Sequence, residues 1–310
     1  MQATVVSISE PHVSRVKRLR ERVIAASQEV CIERARYVTE AMADHWDEDP
    51  LTRMSKAFEN ILKKISVIIR DDELIVGCRT GKLKGAPLFP ENKSKWIEGD
   101  TDNFDKRVLQ RALISEEEKR ELKKEILPFW EGKTVEDYFG RILPSDVDED
   151  MDKYIFTMML EITYGIGHFT MNYERLLSRG LAGIIKEAQE RYGTLHEEER
   201  KNEKGLFYDA VIRSLKAAIL FANRHAQLAE TMAEDEPDPL RAEELRGIAR
   251  VCCRVPEHPP ETFHEAVQSV YFVHLLSQIE SGGNSISLGR IDQYLYPYYK
   301  RDLAEKNITP

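Results

Sequence analysis

The chain has 310 residues, 42% hydrophobic and 32% charged, and its 45 Lys and Arg against 54 Asp and Glu give a net charge of −9. This supports one large or two ordinary domains around a buried core, and no stretch approaches the roughly 18 apolar residues that cross a bilayer. The acidic balance argues against nucleic acid, and four cysteines without a disulfide framework, behind a start lacking a secretory signal, fit an intracellular, reducing compartment.

Helical periodicity dominates. Val13, Val16, Leu19, Val23, Ala26 and Val30 recur at three- and four-residue steps and predict one amphipathic helix; Ile32, Ala35, Val38 and Met42 predict a second. Asp49-Pro50, a cap residue before proline, opens a third, which carries Met54, Ala57, Phe58, Ile61, Leu62 and Ile65. The pattern then changes. Ser66–Gly81 has two short β-branched runs around Asp71-Asp72 and reads as extended chain with a turn. Leu83–Phe104, with Gly85, Pro87, Pro90, Trp96 and Gly99, reads as an ordered surface loop.

Helices resume at Ser115, which has capping-box spacing to Glu118, and Thr134 with Asp137 repeats the pattern more weakly. The acidic Ser145–Asp152 stretch reads as a solvated connection. A long helix follows from Phe207 to about Glu234, another from Asp238-Pro239 to Arg254, and a last one from near Pro260 that ends before Ser281-Gly282-Gly283. No repeat of fixed period and no low-complexity segment is present.

The chemistry-bearing residues are sparse. His258, His264 and His274 lack the i, i+4 spacing of a zinc pair, and adjacent Cys252-Cys253 cannot chelate as Cys-x-x-Cys would, so no metal site is expected. No phosphate-cradling glycine loop and no nucleophile elbow occurs. Two segments stand out. Gly165-Ile166-Gly167-His168 interrupts a helical stretch with residues that are costly in a helix. It reads as a bend or close backbone approach that places an imidazole, or as a helix end whose histidine caps a carbonyl. The second segment, Ile279–Tyr299, has a glycine pair followed by Asn284, Ser285 and Ser287, then Arg290 and Asp292 at pairing distance, then a cluster of tyrosines. On a strand, Ser285 and Ser287 would share a face. A polar loop with a tyrosine anchor is the plainer alternative.

The run SISLGRIDQYLYPYYKRDL (285–303) resembles the signature of the glycyl radical enzymes related to pyruvate formate-lyase, with a closer likeness to the glycerol-, choline- and hydroxyproline-type lyases and dehydratases. ERARYVTEA, DDELIVGCRTGKLKGAPLFPE, Trp96, LPFWEGKT, NYERLLSRGL and HPPETFHEAVQ agree in the same order, so the likeness covers nearly all of the chain beyond about residue 12. It implies a helix-rich α/β fold, the N-terminal part of a ten-stranded α/β barrel, with 12–65 helical, 66–104 extended or loop, 105–280 helical and 281–299 the signature. In family order a Gly-Cys-x-Glu loop and a radical-bearing glycine come downstream. Neither is in residues 1–310, and Cys31, Cys78, Cys252 and Cys253 do not fit the first.

The resemblance therefore implies the N-terminal part of a lyase or dehydratase that cleaves a C–C or C–heteroatom bond of a small polar organic substrate, without turnover on its own. His168, Asn284 and Ser285 are its candidate substrate-binding residues, and no residue here is assigned a catalytic role. Asn284 stands where several dehydratase-type relatives have histidine, and an amide cannot titrate as an acid or base. This departure weakens a simple polyol-dehydratase assignment. The implied cofactor is a glycyl radical on C-terminal polypeptide, installed by a radical S-adenosylmethionine activating enzyme; no bound cofactor, membrane or nucleic acid is expected. The intact enzyme is expected to be a cytoplasmic homodimer of anaerobic metabolism. The alternative is a non-catalytic helical interaction protein derived from the same family.

Overall fold

The computed structural model describes residues 10–153, 155 and 165–309. Helix α1 (Glu10–Ala25) leads into strand β1 (Glu29–Cys31), then α2 (Glu33–His45) and α3 (Pro50–Lys64). Asp49 caps α3 as its sequence suggests, accepting from the Leu51 amide at 2.9 Å. The first predicted helix is too long: it ends at Ala25, and Val30 belongs to β1. Its apolar stripe is not core either, because Val16 and Val23 are exposed. The α2 stripe of Ala35, Val38 and Met42 is buried as expected.

Strand β2 (Gly85–Pro87) pairs parallel with β1, and Glu29 forms a further parallel bridge with Leu113. These strands and helix α4 (Ser94–Asp100) correct the reading of 83–104 as a loop alone. The β-branched runs of 66–81 form no strand among the described residues, and the turn sits at Asp71-Asp72. The reason lies in the last long helix. His264, Gln268 and Tyr271 lie on one of its faces and satisfy the backbone of 74–77 directly. His264 Nε2 donates to Leu74 O (2.9 Å), and Tyr271 Oη donates to Gly77 O (3.0 Å). The Gln268 amide brackets Val76, accepting from its N–H and donating to its C=O, both at 2.8 Å. Side chains thus replace a strand partner.

Capping boxes open α5 (Glu116–Glu121) and α7 (Val135–Ile142) at Ser115 and Thr134, as expected. Between them a π-helical turn, Leu122–Ile126, leads into α6 (Leu127–Trp130). Pro128 has no N–H for the regular ladder there, and Leu127 N–H donates to Leu122 O instead. The acidic 145–152 stretch is helix α8 (Ser145–Asp152), not a plain connection. Next come α9 (Tyr173–Gly193), α10 (Glu197–Arg200), α11 (Glu203–Asp235), α12 (Pro239–Arg254), α13 (Phe263–Ser281), α14 (Ile291–Tyr294) and α15 (Tyr296–Ala304). The last long helix thus starts at Phe263, after Thr262 closes a capping box with Glu265.

Helix α11 is the central post, packed by α3, α9 and α12. Ala218, Ala222, Ala226, Ala229 and Ala233 are buried along it. Their small side chains let neighbouring helices approach closely while the larger Ile61, Leu62, Leu245 and Ile248 fill the space between. No described helix is long and apolar enough to cross a membrane.

Candidate functional site

The two segments singled out in the sequence lie against each other, backbone to backbone. His168 N–H donates to Asn284 O at 3.0 Å, and Ser287 N–H donates to Phe169 O at 2.9 Å, where Thr170 and Ser287 form a parallel bridge. Ser281 Oγ donates to Ile166 O at 3.1 Å. The glycines make this approach possible. A Cβ on Gly165 would fall 1.5 Å from Ser281 O, one on Gly167 2.2 Å from Asn284 O, and one on Gly283 1.8 Å from Ile166 O. Any side chain at these positions would push the two loops apart.

His168, Asn284 and Ser285 are therefore neighbours, and all three are exposed. An imidazole, an amide and a hydroxyl are each able to hydrogen-bond a small molecule. Both His168 and Ser285 sit at φ 56°, in the left-handed region. Ser285 is thus not in a strand, and the expectation that it shares a strand face with Ser287 does not hold. Arg290 and Asp292 pair as expected, with Nη2–Oδ2 at 2.9 Å.

Both ends of the signature loop are anchored by residues that periodicity did not reveal. At its start Gly282 closes α13 in the left-handed conformation against the Phe89 ring. Arg34, 1% exposed, stacks on that ring with Cζ 3.8 Å from its centroid and donates to the Ile279 and Glu280 carbonyls, each at 2.6 Å. At its far end Tyr294 Oη donates to Leu288 O (2.7 Å), and its ring stacks on Tyr173 at 5.5 Å. Tyr173 Oη lies 3.2 Å from His274 Nδ1, and Gln278 Nε2 lies 2.8 Å from His274 Nε2. A neutral imidazole cannot accept at both nitrogens. With Gln278 donating to Nε2, Nδ1–H donates to Tyr173. Desolvation pulls the His274 pKa down and pushes the Tyr173 phenol up, which keeps both neutral. Arg34, Phe89 and Glu91 belong to the ERARYVTEA and LFPE segments, so family likeness marked their neighbourhood, but no local pattern distinguishes a buried arginine from a solvated one.

A helix-rich α/β chain with parallel strands and two glycine-locked loops defines the class. The chain belongs to the pyruvate formate lyase-like family, which it matches over residues 8–310. It is 36% identical to the (2S)-3-sulfopropanediol dehydratase of Klebsiella oxytoca over 95% of this chain and 36% of that protein. Among solved structures, the Roseburia inulinivorans protein described for 1,2-propanediol dehydration superposes with a TM-score of 0.94 at 37% identity, covering 99% of this chain and 36% of that one. The glycerol-bound B12-independent glycerol dehydratase of Clostridium butyricum superposes at 0.92 with 34% identity, covering 100% and 38%. The chain thus spans little more than a third of the length of these relatives.

Proposed function

We propose that this chain is the N-terminal portion of a glycyl radical lyase or dehydratase that cleaves a C–C or C–heteroatom bond of a small polar organic substrate. His168, Asn284 and Ser285 form part of the substrate-binding wall. Residues 1–310 are then the first part of one pyruvate formate-lyase-type domain whose cysteine loop and radical-bearing glycine lie on further polypeptide. A radical S-adenosylmethionine enzyme installs the radical, and the intact enzyme is a cytoplasmic homodimer of anaerobic metabolism.

The observation that carries this reading is the loop lock, His168 N–H to Asn284 O at 3.0 Å between three glycines that admit no side chain. It fixes the backbone that carries His168 and Asn284, with Ser285 next in the chain, and a fixed backbone supports a role in orienting a small substrate. This chain's cysteines do not fit the radical role. Cys31 and Cys252 are buried with their thiols pushed up by desolvation, and Cys78 and Cys253 lie on the 66–81 segment and on α12 rather than on either loop. When present, the glycyl radical supplies hydrogen-atom chemistry. The residues here bind and orient: His168 and Asn284 offer both donors and acceptors to substrate oxygens, and Ser285 offers a hydroxyl.

The test is an anaerobic assay of glycerol, 1,2-propanediol and 3-sulfopropanediol with activating enzyme and S-adenosylmethionine. The chain is assayed alone and co-expressed with a C-terminal polypeptide of the family. Turnover is expected only in the combined sample, with His168→Ala lowering kcat/KM by about 100-fold. Turnover by the chain alone, or a combined sample that carries the radical signal yet is indifferent to His168→Ala, overturns the reading.

A further inference from the structure

We propose that Arg34 is the positioning residue of the substrate wall, setting where Asn284 and Ser285 stand relative to His168 without touching substrate itself. The inference rests on the functional reading above.

A guanidinium has five N–H donors in a rigid plane, and at Arg34 all five have an acceptor. Nε–H donates to Ile279 O (2.6 Å). Nη1 donates to Leu88 O (3.4 Å) and to Glu91 Oε2 (3.1 Å). Nη2 donates to Glu280 O (2.6 Å) and to Glu91 Oε1 (2.5 Å). The Glu91 pairing is a two-pronged carboxylate clamp, which fixes the orientation of the plane.

What that plane holds is the end of α13. The last carbonyls of a helix have no partner within it. Arg34 takes two of them, Ile279 and Glu280, and Asn92 Nδ2 donates to the next, Ser281 O, at 3.4 Å. The chain then turns at Gly282, seated on the ring that Arg34 stacks on, where an added Cβ would come 2.8 Å from Phe89. Two residues later comes Asn284 O, the acceptor for His168 N–H. One buried cation on α2 therefore fixes the helix end from which the substrate loop springs. A lysine would keep the charge, but its donors radiate from a single nitrogen. It cannot bridge two carbonyls and a carboxylate in one plane.

The experiment is amide hydrogen exchange on the full chain, read at the His168 and Ser287 amides and, as control, at interior amides of α11 and α12. In Arg34→Lys the two loop amides are expected to exchange about tenfold faster or more while the controls keep their rates. Unchanged loop protection in the folded variant overturns the proposal, and so does an equal loss at loop and control amides, which marks Arg34 as merely a stabiliser of the whole fold. Should Arg34→Lys not fold, Glu91→Gln carries the test. It keeps the hydrogen-bond acceptor, removes one charged prong, and is expected to accelerate the same two amides alone. Exchange is read without turnover, so failure here and failure of the functional reading are distinguishable. In the combined active sample, Arg34→Lys is expected to lower kcat more than it raises KM.

Discussion

Gly167 and Asn284 meet so closely that a single added carbon would sit 2.2 Å from the Asn284 carbonyl oxygen. Gly167→Ala should therefore break the loop lock. The obstacle is backbone, which cannot step aside, so a loss of about 1–3 kcal/mol in unfolding free energy is expected. Gly247 is the control: it lies inside α12, and the nearest outside atom to its missing Cβ is the tip of Arg250 at 3.8 Å. Gly247→Ala should stabilise by up to about 1 kcal/mol. Urea melts of the two variants check the contrast, and equal effects would refute the lock.

His225 is fully buried between Phe221 and Phe272, with Nδ1–H donating to Phe221 O at 2.9 Å and Nε2 without a partner. Desolvation lowers its pKa to about 4. The unfolded chain has an ordinary histidine near 6.5 and binds the proton first as pH falls. The His225 contribution to stability is thus full above about 6.5 and is lost between there and about 4. Desolvation lowers His274 too, so it acts in the same direction. Replacing His225 with Leu should flatten the slope of stability between pH 7 and 5. An unchanged slope would show that burial at His225 is not its source.

Helix α1 is held by charge. Arg15 pairs with Glu244, Arg18 Nε with Asp72 Oδ2 at 2.9 Å, and Arg22 Nη2 with Asp71 Oδ2 at 3.5 Å, while none of its described side chains is buried. Screening at about 1 M salt shortens the reach of such pairs to roughly 3 Å. Tryptic cleavage at Arg18–Arg22 should accelerate with salt, and Asp72→Asn should reproduce part of the effect in dilute buffer. Salt-independent cleavage would mean that apolar contact holds the helix.

Adjacent cysteines on α12 have opposite fates. Cys252 is 1% exposed, and burial pushes its thiol to about 12, whereas Cys253 faces solvent. The thiolate is the reacting form. Iodoacetamide at pH 8 should label Cys253 and spare Cys252 and Cys31, as read by peptide mass spectrometry. Equal labelling of the pair would contradict the packing of α12.

Much of this was legible in the residues. Caps at Asp49, Ser115, Thr134 and Asp238 are local chemistry, and all four accept the expected amide. At Gly165 and Gly167 the sequence left a close backbone approach and a helix end both open; the structure shows the approach, with the other singled-out segment as partner. Illegible were features decided by distant chain. The 66–81 runs look like strands, but side chains of α13 satisfy their backbone. The α1 stripe looks like core, but acidic residues on 71–72 and α12 hold the helix by its arginines. Arg34 meets the Ile279 carbonyl across 245 residues of sequence, and no periodicity encodes that.

The left-handed backbone at His168 and Ser285 has an evolutionary consequence. Each side chain is held in a conformation that costs an ordinary residue on the order of 1 kcal/mol, and glycine would relieve it. Selection for robustness alone would drift these positions toward glycine and erase the polar groups they present. Thermostable descendants of this sequence obtained without a selection for turnover should therefore lose His168 and Ser285 early.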